Sequence, residues 1–196
     1  MLEETTTGRR SAGEPRVYAK GARRFHWWTV AILMVMFPTG IIMADRGARN
    51  IWDATTNNLY STHKLLGFIF LFVIVGRWFY RLTQGAPPDE PSLETWQKGA
   101  AHATHWSLYL LLLAMPILGW VGVQLYPALT IFGVFNLPAF LEPNQARAEL
   151  VLQIHKFVGF TILALVAAHI SASLYHYFIR KDGVLQRMLP SLGRRD

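Results

Sequence analysis

Two histidines, His155 and His169, lie fourteen residues apart within one apolar stretch. On a helix rising about 1.5 Å and turning about 100° per residue, they stand roughly 21 Å apart on nearly one face. Such a pair can hold one group in each leaflet of a bilayer, the geometry of a transmembrane electron wire built on two haems. The other five histidines, His26, His63, His102, His105 and His176, fall almost entirely at the ends of apolar stretches.

An ionisable ring is costly in lipid unless it faces the bundle interior with a partner. Bis-histidine haem ligation supplies one: each imidazole gives one nitrogen to iron and keeps an N–H for backbone or side chain. His63 and His155 suit that role best, because each has glycine at i+4, Gly67 and Gly159, on its own helix face. A flat macrocycle can then lie close to the backbone. The plainer alternative makes them interfacial histidines, with Lys64 and Lys156 snorkelling to the headgroups. At the inner level His169 has the small residues Ala172 and Ser173 on its near face, while His176 lies one heptad further on. By depth His26 can match either, and packing room favours His169. His102 and His105 form an i, i+3 pair at the mouth of the third stretch. With only two ligands in sight a zinc site is disfavoured, which leaves a solvated helix mouth, a quinone pocket or a proton path.

The elements that must carry these residues are membrane helices. With 52% of residues apolar and only 16% charged, the balance is that of an integral membrane protein rather than a soluble domain. Four runs are long enough to cross about 30 Å of hydrocarbon: 25–43, 62–82, 105–126 and 152–178. The first follows a polar leader, contains Pro38 and Gly40 and lacks a small-residue cleavage site, so it reads as a retained helix. Basic residues up to Arg24, in the second connection (Arg77, Arg81, Lys98) and from Arg180 onward outnumber those in the first and third connections fourteen to five. Both termini are therefore expected in the cytoplasm, with 23–182 forming the helical domain between the leader 1–22 and the tail 183–196. The net charge of +7 is mostly this topology signal; there is no aromatic-interleaved basic stripe of the kind that binds nucleic acid. Absence of cysteine excludes disulfides, iron–sulfur clusters and thiolate or thioether haem attachment.

Between the third and fourth runs, Pro127 to Glu149 keeps apolar residues among prolines, so it is expected on the outer membrane surface or capping the bundle. Pro38 and Pro116 should kink their helices. Trp27, Trp28, Trp78, Trp106 and Trp120 read as an interfacial aromatic belt. A repeat is visible: His63-Lys64-Leu65-Leu66-Gly67-Phe68 matches His155-Lys156-Phe157-Val158-Gly159-Phe160, and His26-Trp27 before Pro38 matches His105-Trp106 before Pro116. Two helical hairpins share one plan, which sets His63 and His155 at one level near the outer surface.

These residues together resemble the bacterial cytochrome b561 family, four-helix dihaem membrane cytochromes that include superoxide oxidase. The resemblance covers nearly the whole chain after the leader: Phe25-His26-Trp27, the His63 opening, Ala101 to His105 running on to Pro116-Ile117-Leu118-Gly119, His155 with His169, and the ending His176-Tyr177-Phe178-Ile179-Arg180-Lys181-Asp182. The extended basic leader departs from the compact family form. The resemblance implies two haems b, with His26 and His169 holding the cytoplasmic-side iron and His63 and His155 the outer one. It also implies an inner (cytoplasmic) membrane cytochrome that passes single electrons to or from a quinone. In the superoxide oxidase version superoxide is oxidised outside and ubiquinone reduced, and Lys64 and Lys156 would steer the anion. Arg77 and Arg81 inside, or Arg46, Arg49 and Arg147 outside, could pair with propionates, although orientation-setting charge explains them equally. A haem-bearing anchor that relays electrons to a soluble dehydrogenase or hydrogenase partner is the alternative, and a histidine-lined proton or metal transporter is a third class.

Overall fold

The computed structural model describes residues 17–193. The leader arginines Arg9, Arg10 and Arg16 and the tail arginines Arg194 and Arg195 lie outside them. Four helices form an all-α membrane bundle: α1 (Lys20–Ala48), α2 (Ala54–Gln84), α3 (Thr95–Leu125) and α4 (Gln145–Tyr175). All four are apolar and long enough to span a bilayer.

Each helix begins before the apolar run expected for it, α4 at Gln145 instead of residue 152 and α3 at Thr95 instead of 105. Hydropathy marks the part of a helix that meets lipid. Where the helix itself stops is decided by polar groups that satisfy its terminal amides. Asp53 begins α2 by accepting the Thr56 amide proton (2.9 Å), and Asn144 begins α4 by accepting that of Arg147 (3.0 Å). At α3 the Gln97 side chain accepts from the Glu94 amide (3.0 Å). Pro38 and Pro116 lie within continuous α1 and α3.

α1 packs chiefly on α2 and α3 on α4, and the two hairpins meet along α2 and α3. The buried centre is Phe70, Ile74, Leu112 and Ile162, with Leu33, Phe37, Met115 and Val166 around it. Ile162 is seven residues from each of His155 and His169, and Phe70 is seven from each of His63 and Arg77. The apolar core is thus a layer between the two histidine levels. Outward, Met34, Phe72, Phe79, Phe157 and Ile179 are each well exposed, as lipid-facing side chains of a membrane bundle are.

The third connection takes the capping arrangement. Strands β1 (Thr130–Ile131) and β2 (Phe135–Asn136) form a small antiparallel hairpin, with Ile131 and Leu137 buried beneath it. It is pinned by Lys64 Nζ, which donates to the carbonyls of Ala128 (2.8 Å) and Thr130 (2.6 Å), and by Ser61 Oγ, which accepts from the Phe132 amide (3.0 Å). On α3, Gln124 accepts from the Phe140 amide (2.9 Å) and Trp120 donates to the Pro138 carbonyl (2.9 Å).

At the opposite end α4 closes in a π-helical turn, His176–Arg180, and the chain folds back through two short 3-10 turns. The Tyr18 amide donates to Arg187 O (3.1 Å) and Trp27 Nε1 to Met188 O (3.4 Å), so the start of α1 and the C-terminal segment share one end of the bundle. Arg187 donates to the carbonyls of Pro87 and Pro88.

Candidate functional site

The bundle brings the histidines together at two levels. Near the capped end, the rings of His63 on α2 and His155 on α4 stand 6.2 Å apart between centroids, inclined at 77°. At the other end, His26 on α1 and His169 on α4 stand 6.4 Å apart at 64°. With metal–nitrogen bonds of about 2 Å, two imidazoles on opposite sides of one metal have centroids about 6 Å apart, so both separations fit a shared iron. His63 Nε2 is buried without a hydrogen-bond partner. Leaving such an atom unsatisfied costs about 1–3 kcal/mol, and an iron ligand is what would satisfy it.

At the capped end each ring is cradled by a glycine from the other helix of its own hairpin. A Cβ on Gly40 of α1 would come 3.0 Å from His63 Cε1, and one on Gly119 of α3 would come 3.0 Å from His155 Cε1. Both glycines follow a helix proline, at Pro38-Thr39-Gly40 and Pro116-Ile117-Leu118-Gly119. Gly67 and Gly159, singled out by spacing, instead face the methyl groups of Met36 and Met115. His155 Nδ1 lies 3.1 Å from the Met115 carbonyl oxygen, and His63 Nδ1 lies 3.4 Å from Thr39 Oγ1.

The level at the opposite end holds more than its pair. His105 on α3 lies 5.3 Å from His169, closer than two rings flanking a metal. Arg77 on α2 reaches Nδ1 of His26 (3.3 Å) with Nη2, donates Nε to Tyr109 OH (3.4 Å), and rests over the Tyr109 ring. A narrow crevice opens beside it, lined by Phe25, Arg77, Tyr80 and Tyr109 among others.

The remaining candidates separate. His102 turns away from His105 to Asp89 (3.1 Å) at the surface, so the two do not act as one metal-binding pair. His176 is buried against Asp182, Nδ1 to Oδ2 2.6 Å, and clasps the returning tail. Lys156 is exposed, whereas the Lys64 ammonium is held by the two carbonyls of the cap. Trp28 is 65% exposed, as a belt residue would be, but Trp78 Nε1 donates to Tyr109 O (3.1 Å) inside the bundle. Among the described residues no group of three or more histidine or acidic side chains forms a site for a free metal ion.

The roles of Gly40, Gly119, Tyr109 and His105 at the site lay beyond the reach of spacing alone. A glycine two or three residues after the helix proline in both halves of the repeat was the one signal for the two glycines.

A family model described as prokaryotic cytochrome b561 matches residues 17–191. Cytochrome b561 homolog 2 of Escherichia coli (strain K12) is 31% identical over 176 residues, 89% of this chain and 92% of the relative. Cytochrome b561 homolog 1 of the same organism is 29% identical over 174 residues, covering 88% and 97%. A protein named probable superoxide oxidase CybB, from Yersinia pestis, is 29% identical over 165 residues, covering 83% and 90%.

Proposed function

The chain belongs to the prokaryotic cytochrome b561 family, haem b-binding membrane electron-transfer proteins, and from that premise we propose that it carries electrons across the bacterial inner membrane through two haems b. His63 and His155 hold the outer haem and His26 and His169 the inner one. The observation that carries this reading is the pair of nearly equal inter-ring separations, 6.2 and 6.4 Å, joined by α4. When bound, each haem exchanges one electron at a time.

The protein's own groups do the rest. The Met115 carbonyl orients the His155 ring through Nδ1. Phe70, Leu112 and Ile162 exclude water between the two levels. The favoured donor is superoxide, drawn to the outer face by Lys64 and Lys156, whose charges persist whether or not the ammonium is hydrogen-bonded. The crevice beside Arg77 offers an aromatic wall and a cation to a quinone headgroup. Two superoxide anions lose one electron each to become dioxygen, and ubiquinone takes those two electrons with two protons to become ubiquinol. The relative named as a probable superoxide oxidase supports this choice of donor.

A reduced-minus-oxidised spectrum with haem counted per chain tests the reading: two low-spin haems are expected, one being lost in His169→Ala. Two haems would also remove the transporter class. Replacing Lys64 and Lys156 together by glutamine should slow superoxide-driven haem reduction and flatten its salt dependence; an unchanged rate would refute steering. A second reading, a haem-bearing anchor for a soluble partner, draws on the outer cap, where Val134 is 81% and Phe140 68% exposed. Co-purification of a large redox partner, with no superoxide activity in the isolated chain, would favour it.

A further inference from the structure

The two histidine levels differ in what stands behind the rings. Outside, Nδ1 of His155 faces a carbonyl oxygen and Nδ1 of His63 a hydroxyl oxygen, both neutral acceptors. Inside, Nδ1 of His26 faces the guanidinium of Arg77 at 3.3 Å. That guanidinium is partly buried, its described contacts are this ring and Tyr109, and among the described residues no carboxylate stands within ion-pair distance of it.

The repeat shows that this is a break in symmetry. Arg77 follows His63 by fourteen residues, as His169 follows His155, and His26-Trp27 corresponds to His105-Trp106. One hairpin therefore carries an arginine where the other carries an inner histidine. The outer level keeps its two-fold plan, His63 opposite His155, while the inner level has exchanged one imidazole for a permanent cation.

We propose that Arg77 makes the inner site the electron sink, by raising its reduction potential above that of the outer site so that electrons entering outside run inward. The proposal rests on the two-haem ligand assignment above. An imidazole that gives Nε2 to iron carries its proton on Nδ1. A carbonyl opposite that proton draws on it and makes the ring a stronger electron donor, which favours oxidised iron. Arginine has five donors and no acceptor, so it withholds that help from His26. Its fixed charge also favours the state with one electron more. Both effects act in the same direction, and guanidinium does not titrate in the working range.

Distance confines the effect. Coulomb energy falls inversely with separation, and about 21 Å divides the two levels. Two cations are adjacent in sequence to the outer ligands: Lys64 has its head against the negative ends of two carbonyl dipoles, and Lys156 is exposed, where solvent screens it. The transfer moves one electron and no proton between the levels: the outer site is oxidised by one as the inner is reduced by one.

The test is an optically monitored redox titration of the purified holoprotein, with haem counted per chain, in wild type, Arg77→Gln and Arg77→Lys. Wild type should show two waves. Arg77→Gln should lower the upper wave and narrow the separation without moving the lower one, and Arg77→Lys should restore most of it, as a merely structural role would not. Two coincident waves in wild type, or unchanged waves in an Arg77→Gln protein that keeps both haems, would overturn the proposal. Should Arg77→Gln lose the inner haem, His169→Ala decides: the single haem left must titrate with the lower wave, and the upper wave in its place would overturn the idea. Retention of both haems in His169→Ala would instead strike the ligand assignment, and the proposal with it.

Discussion

An imidazole in a membrane bundle needs a partner for each nitrogen, and the four paired rings differ in how visible that need is along the chain. The positions of His63, His155 and His169 were legible because a polar residue at fixed intervals in an apolar run stands out. The glycines that shape their pockets were not, since a glycine facing lipid and a glycine facing a ring read alike. Adding side chains there is a direct test. Gly119→Val should push His155 off its position, at an overpacking cost of about 1–3 kcal/mol, and lower outer haem occupancy while the inner haem stays; difference spectra with haem counts check it. His176→Ala should keep both haems, unlike His169→Ala, because His176 serves the tail through Asp182. Losing that contact leaves a buried carboxylate oxygen without its partner, worth about 1–3 kcal/mol, and should be seen as faster proteolysis of residues 181–193.

Helices α1 and α2 are joined by a polar corner in which Arg46 bridges to Asp53 (2.6 Å) and to Thr56 Oγ1 (2.7 Å). The Thr56 amide and then Arg46 hold the Asp53 carboxyl at about 2, below its ordinary 3.8. A carboxylate with a depressed value stabilises the folded corner fully above the ordinary value, and that support is lost as pH falls through about 2. Asp53→Ala should therefore speed amide exchange at the start of α2 near neutrality, with the difference from wild type closing toward pH 2. At the far connection, Lys64→Met should free the β1–β2 hairpin. Two charge-assisted bonds are lost there, about 1–3 kcal/mol in all after solvent screening, so exchange across residues 128–137 should rise roughly five-fold or more. The existence and order of the four helices could be read from hydropathy. Their ends could not, because a cap is a single polar contact beyond the apolar run.

The whole molecule places both described chain ends at one end of the bundle, joined by Tyr18 and Arg187, and the β-hairpin cap at the other. Basic-residue bias predicts the shared end in the cytoplasm. Because the chain has no cysteine, single replacements report the orientation: Val134→Cys should react with a membrane-impermeant maleimide in intact spheroplasts, and Ser191→Cys only after lysis. The opposite pattern would invert the topology. What the sequence by itself determined is what depends on neighbours along one helix: four spans, the fourteen-residue interval and the repeat. Those follow from a rise and turn per residue that hold for any α-helix. Only the tertiary structure decided which rings face one another, that His105 joins the inner cluster while His176 leaves for the tail, and that Arg77 stands against His26. Such pairings depend on how separate helices rotate and slide when their side chains pack, and no interval along a single strand of sequence encodes that.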